Sequence, residues 1–201
     1  FESPTNPILK IVDVEWLTRA ARAHGALTVL DNTFAGFHNH GQFDVDLYVH
    51  SLTKYAAGHG DVMGGALIGS RDLVARMRLD AATLGPTLDP HAAFLVQRGL
   101  KTYHLRRDAQ CAGAQRIADC LAREPRVARV HFPGLATHPG HALARAQMAD
   151  FGSIVTVDLA GTAEQGARFC ESLQLFGLTA SLGSTESLVM APQFLRSREF
   201  T

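Results

Sequence analysis

The chain has 201 residues, 46% hydrophobic and 19% charged, and its 19 basic residues balance its 19 acidic ones. That is one large domain or one and a half small ones with a buried core, and the apolar content excludes a disordered chain. The zero net charge argues against nucleic acid or an anionic membrane as partner, and no apolar run approaches the ~20 residues of a spanning helix.

Taken from the start, Asp13 can N-cap a helix over Val14–His24, which Gly25 can end. Ala26–Leu30 reads as a short buried strand with Asp31 at its carboxyl end. Val45–His50 alternates as a second strand, followed by Ser51-Leu-Thr-Lys54. Ala66–Ile68 is a third strand and Asp72–Leu79 a helix. The loop Gly85–Pro90 leads into a long helical stretch, His91–Arg123, interrupted at Gly99. A domain boundary is placed inside it, near Lys101. Strands then follow at Val127–Phe132, Ser153–Leu159 and Phe176–Ala180, and helices at His141–Ala149 and Ala163–Leu173. Strands alternating with helices make this an α/β protein.

Cys111, Cys120 and Cys170 are odd in number and contain no C-x-x-C, which favours reduced thiols in a cytoplasm over a disulfide framework. The opening Phe1-Glu-Ser-Pro-Thr-Asn-Pro7 is neither a signal peptide nor a normal translation start, so a piece of a longer protein is expected.

In open α/β sheets, ligands sit outside the carboxyl ends of the strands. Asp31 and the Ser51–Lys54 cluster both fall at such ends. Pyridoxal 5′-phosphate needs that set of groups. Its aldehyde forms a Schiff base with a lysine, its ring nitrogen needs an anion, and its phosphate needs hydroxyl and backbone donors. Lys54, Asp31, and Ser51 with Thr53 supply these. Singly, each is an ordinary surface, cap or turn residue; their co-occurrence at strand ends is what suggests a site.

The stretches Glu2-Ser-Pro-Thr-Asn-Pro7, Asp31-Asn-Thr-Phe34, His50-Ser-Leu-Thr-Lys-Tyr55 and Gly58-His-Gly-Asp61 resemble the Cys/Met-metabolism family of pyridoxal-phosphate enzymes. So do Arg98-Gly-Leu-Lys-Thr102, Pro133-Gly-Leu135 with His138-Pro139, Phe151-Gly152, and Ser181-Leu-Gly183 with Glu186-Ser-Leu188. The family includes cystathionine γ-synthase, cystathionine γ- and β-lyases and methionine γ-lyase.

The resemblance implies an aminotransferase-like fold (fold type I), here part of the large cofactor-binding domain at 1–101 and part of the C-terminal α/β domain at 102–201. It implies Lys54 as the Schiff-base lysine, Asp31 as partner of the pyridine nitrogen, and Ser51 and Thr53 as phosphate ligands. Asn6 matches a residue near the cofactor's ring hydroxyl and the substrate carboxylate, and Ser181 one that holds that carboxylate. It also implies a homotetramer built from dimers and a small amino-acid substrate.

Family members are about twice as long. Their N-terminal tyrosine and arginine for the neighbouring subunit's phosphate, their glycine pair and ring-stacking tyrosine, and their carboxylate-binding C-terminal arginine have no counterpart here. Asn39–Gly41 also departs from the family, which carries prolines there. The implied chemistry is C–S elimination from cystathionine, methionine or a relative, with the freed Lys54 amine as general base. γ-Replacement of the cystathionine γ-synthase or O-acyl-homoserine sulfhydrylase type is the alternative, and a truncated non-catalytic remnant is the alternative of another class.

Other signals are set aside. His38-x-His40 and His138-x-x-His141 lack the partners of a structural zinc site, so no metal is expected, and His59 and His138 read as structural loop residues. Gly58-x-Gly60-x-x-x-Gly64 precedes a strand and has the wrong spacing for a dinucleotide loop. Cys111 and Cys120 read as buried helix packing, Trp16 as core or interface, and Arg98–Lys101 with Arg106-Arg107 as a solvated, ion-paired helix face.

Overall fold

The computed structural model describes residues 1–191. Side-chain caps set most of the helix starts. In α1 (Val14–Ala23) Asp13 Oδ1 accepts from the Trp16 N–H at 2.8 Å. In α2 (Arg71–Leu84) Ser70 Oγ accepts from Leu73, and Gly85 closes the helix at φ +88°. This helix runs past the expected Leu79, because no breaker precedes Gly85. In α3 (Pro90–Leu100) Asp89 Oδ1 accepts from His91 and Ala92 while Pro90 occupies the first turn.

Gly99 does not interrupt the helical stretch. It lies inside α3, and the break comes at Lys101–Thr102, before α4 (Tyr103–Leu121). A Cβ at Gly99 would collide with the carbonyl oxygens of Ala57 and Ala56. The glycine is there so that α3 can lie against another backbone.

The first sheet has the order β1 (Val29–Asp31), β2 (Leu47–Ser51), β3 (Gly65–Gly69). β1 and β2 are parallel, with Asp31 opposite Val49; β3 is antiparallel to β2. Leu30 and Tyr48, paired across the strands, point to one face, where they pack with Val14 of α1 and with Val45 and Phe43. The opposite face carries Asp31, Val49 and Ser51. Beyond β2, residues 52–57 make one wide turn in which the Ala57 N–H donates to Leu52 O at 3.0 Å. The alanines of that turn pack with Val62 and with Val96 of α3.

The second sheet pairs β4 (Val127–His131) with β5 (Thr156–Leu159), antiparallel. It packs on Ala114 and Ala118 of α4 through Phe132, Leu135, Val130 and Val155. In the chain α5 (His141–Gln147) comes between β4 and β5 and α6 (Ala163–Ser172) after β5, the latter opened by a reciprocal Thr162–Gln165 capping box. Two-residue strands β6 (Gly177–Leu178) and β7 (Leu188–Val189) form a parallel clasp around the loop 179–187.

Three expectations change at the side-chain level. Arg106–Arg107 is not a solvated face: Arg107 is 1% exposed and Arg106 is half-buried. Of the two helix cysteines, Cys120 is exposed and Cys111 half-buried. Trp16 is 61% exposed and so is no core residue of this chain.

Candidate active site

Because β1 and β2 are parallel, their carboxyl ends meet at one edge of the sheet, and Asp31 and Ser51 share a face there. Thr33 ties them together. Its N–H donates to Asp31 Oδ1 at 3.0 Å, and its hydroxyl accepts from the Ser51 N–H at 2.9 Å. Below this edge His50 is buried under the Phe37 ring, with centroids 4.2 Å apart. Burial pulls its pKa down to about 4, against the opposing charge of Asp31.

Ser51 leads into the wide turn. The backbone is not helical at Lys54 (φ −89°, ψ −120°). The Thr53 hydroxyl faces the backbone of Gly64, accepting from its N–H at 3.0 Å. Lys54 Nζ donates to Ser181 Oγ at 2.8 Å. So two of the residues singled out from the sequence, in the wide turn and in the C-terminal clasp, are in direct contact. Ser181 holds φ +112°, a region that side-chain-bearing residues rarely enter. Asn6 lies in the N-terminal loop, where its N–H donates to Glu2 Oε2 at 3.0 Å; Glu2 in turn bridges to Asp31 as an extra strand position.

Behind the turn stands a set of residues that the sequence reading assigned to a solvated helix face. Arg106 of α4 donates to Tyr55 O at 3.0 Å, to Ala56 O at 3.4 Å and to Gly99 O at 2.8 Å. Gly58, at φ +73°, leaves room for this guanidinium, which a Cβ would overlap. Arg107 lies over the Tyr55 ring at 4.5 Å and donates to Ala35 O at 2.8 Å and Asp150 Oδ1 at 3.0 Å. Burial raises the Asp150 carboxyl, but the hydrogen bond from His38 and the Arg107 charge outweigh it and hold the carboxyl well below the usual range. Burial likewise drives the Cys111 thiol up to about 12, which makes it inert. The spacing Tyr103, Arg107, Ala114, Ala118 is the buried stripe of α4, and that spacing was the available signal for Arg107.

The histidine pairs diverge. His38 turns to Asp150 and Tyr103, while His40 Nδ1 faces Asn32 Oδ1 at 2.8 Å in a buried knot with Asn39. Among the described residues no group of three or more His, Cys, Asp or Glu could hold a metal ion.

The family model for Cys/Met metabolism PLP-dependent enzymes matches residues 1–201. The chain belongs to the Cys/Met-metabolism family of pyridoxal-phosphate-dependent enzymes. It is 43% identical over 205 residues to an L-methionine gamma-lyase of Pseudomonas putida, covering 100% of this chain and 52% of that protein. It is 41% identical over 196 residues to a cystathionine beta-lyase of Lactococcus lactis subsp. cremoris, covering 96% and 51%. The crystal structure of cystathionine gamma synthase from Xanthomonas oryzae pv. oryzae in complex with aminoacrylate and cysteine superposes with a TM-score of 0.95. It is 41% identical, and the match covers 100% of this chain and 53% of that one. The chain thus has the α/β fold of the family and spans about half the length of the curated relatives it matches. The donor set is of the kind the family's cofactor needs: a carboxylate and a hydroxyl at the parallel strand ends, and a second hydroxyl and a primary amine in the turn that follows.

Proposed function

We propose that the full-length polypeptide carrying this chain eliminates a C–S bond from cystathionine, methionine or a related amino acid, with Lys54 as the residue that holds pyridoxal phosphate. The observation that carries the reading is the Lys54 amine set 2.8 Å from Ser181 Oγ, beside the edge where Asp31 and Ser51 share a face. Bound there, the cofactor supplies an electron sink for a carbanion at the substrate's α-carbon.

The chain's own residues do the rest. Asp31 places a carboxylate at the strand end to keep the ring nitrogen protonated, and Thr33 fixes that carboxylate. Ser51 and Thr53 would hold the cofactor's phosphate, Thr53 with its hydroxyl steadied by the Gly64 N–H. Asn6 and Ser181 hold the substrate carboxylate. Lys54 Nζ would take the proton from the substrate's α-carbon as general base. γ-Replacement is the second reading, and the likeness to a cystathionine gamma synthase structure favours it. The free thiols of Cys111, Cys120 and Cys170 support a reducing compartment, which we assign as the cytoplasm. We assign a homotetramer built from dimers on the family resemblance.

The test is Lys54→Ala in the full-length protein. It abolishes the visible absorbance of lysine-bound cofactor and turnover of cystathionine and methionine. Substantial turnover by that variant would sink the assignment.

A further inference from the structure

Ser181 keeps its φ of +112° only because its neighbours over-determine it. On one side the Thr179 N–H donates to Val189 O at 3.1 Å, extending the clasp. On the other, Gly183 at φ +80° presses so near Tyr55 that a Cβ would stand 2.7 Å from its nitrogen. One further residue after it is anchored: Gln110 Nε2 donates to the Ser184 carbonyl at 2.8 Å.

Gln110 has an odd feature. Its Oε1 is buried with no hydrogen-bond partner. The amide is therefore oriented by its one bond to Ser184, because the flipped amide would set two oxygens against each other. A buried, unmatched carbonyl is costly, and a methionine would fill the same space without it. Packing alone does not account for an amide here; the bond to Ser184 does.

The helix matters too. α4 holds the Lys54 turn through Arg106, one turn before Gln110, and holds the Ser181 loop through Gln110 itself. One rigid element thus fixes both ends of the Lys54–Ser181 contact. We propose that Gln110 is a positioning residue that sets Ser181 Oγ against the Lys54 amine and so shapes the seat of the substrate carboxylate. The geometric part stands on its own; the substrate part rests on the function proposed above.

The test uses the full-length protein with Gln110→Met, Gln110→Glu, Ser181→Ala and the Gln110→Met/Ser181→Ala pair. In cofactor-free protein, trinitrobenzenesulfonate labelling of Lys54 is timed by peptide mapping, with exposed Lys10 and Lys101 as internal controls. An amine that loses its hydroxyl acceptor is freed, so Gln110→Met and Ser181→Ala each speed labelling of Lys54 by roughly 3- to 10-fold. The double variant is no faster than Ser181→Ala. Gln110→Glu, which turns an acceptor toward the Ser184 carbonyl, gives at least the effect of Gln110→Met.

In cofactor-loaded protein, Gln110→Met raises KM for the amino acid by about tenfold while kcat changes less than about twofold, as expected when ground-state and transition-state binding are lost alike. Unchanged Lys54 labelling in both Gln110 variants, or effects of Gln110→Met and Ser181→Ala that simply multiply, overturns the proposal. A wild-type protein that takes up no pyridoxal phosphate on Lys54 overturns the functional reading alone, and the labelling result still decides Gln110.

Discussion

Arg107 and Asp150 form an ion pair at 3.0 Å in which the arginine side chain is 1% exposed. The pair joins α4 to the loop after α5, and the same guanidinium roofs the ring of Tyr55, the residue after Lys54. Removing one partner of a buried pair strands the other. Arg107→Met should therefore destabilise the protein by about 3 kcal/mol or more. Urea unfolding checks this through the midpoint. Arg107→Met with Asp150→Leu should recover part of the loss, and an unchanged midpoint in the single variant would contradict the buried-pair account.

Gly99→Ala sets two effects against each other. Alanine favours a helix by about 1 kcal/mol over glycine. The added Cβ meets the Ala56 carbonyl oxygen at 2.7 Å and approaches that of Ala57 still more closely, and both are backbone atoms. Overpacking of that kind costs roughly 1–3 kcal/mol. The net effect should be a lower melting temperature, and weaker retention of pyridoxal phosphate as α3 is pushed off the Lys54 turn. A more stable Gly99→Ala protein would show that the contact relaxes freely.

Buried histidines predict how stability follows pH. Burial pulls the pKa of both His40 and His50 from 6.5 to about 4. Between those values the unfolded chain binds protons that the folded chain refuses, so unfolding free energy falls as pH drops through that window. Each ring accounts for about 3 kcal/mol by pH 4. Above pH 6.5 neither contributes a slope. Asp150 acts lower down: its carboxyl is held below the ordinary 3.8, so its stabilisation is lost only as pH falls under that value. His50→Phe should flatten the slope between pH 6.5 and 4, as read by urea titrations at stepped pH, and the slope that remains is that of His40 and of His138, whose pKa burial also lowers.

Thr33→Val tests the tie between Asp31 and Ser51. Valine keeps the shape and removes the hydroxyl that accepts from the Ser51 N–H. An orphaned N–H costs about 1–3 kcal/mol, and Ser51 loses its tie to Thr33 while the Thr33 N–H keeps its bond to Asp31. Cofactor affinity, measured by equilibrium dialysis, should fall about tenfold, with Thr33→Ser close to wild type. Equal affinity in Thr33→Val would show that the tie plays no part in cofactor binding.

What the sequence made legible was the edge of the first sheet. Asp31 and Lys54 stand after short apolar strands, and that placement survives in three dimensions because parallel strands end together. What it hid depended on partners distant in the chain. Gly99 read as a helix break, because nothing local shows that its neighbour is the backbone of Ala57. Arg107 read as solvated, because a charge in a buried stripe makes sense only once Asp150 and Tyr55 are in place. The antiparallel direction of β3 is set by a pairing that no single segment shows, and the two-residue β7 leaves no periodic trace, whereas β6 lies within the strand expected at Phe176–Ala180. The wide turn at 52–57 was missed for a similar reason: the departure sits at Lys54, whose residue type carries no backbone signal.

The Lys54–Ser181 contact joins residues 127 positions apart. A ribosome adding roughly 5–20 residues per second needs roughly 6–25 s to travel from one to the other. For that interval the lysine has been made and the hydroxyl that will meet it has not. Order of synthesis therefore separates making the lysine's turn from closing the clasp upon it.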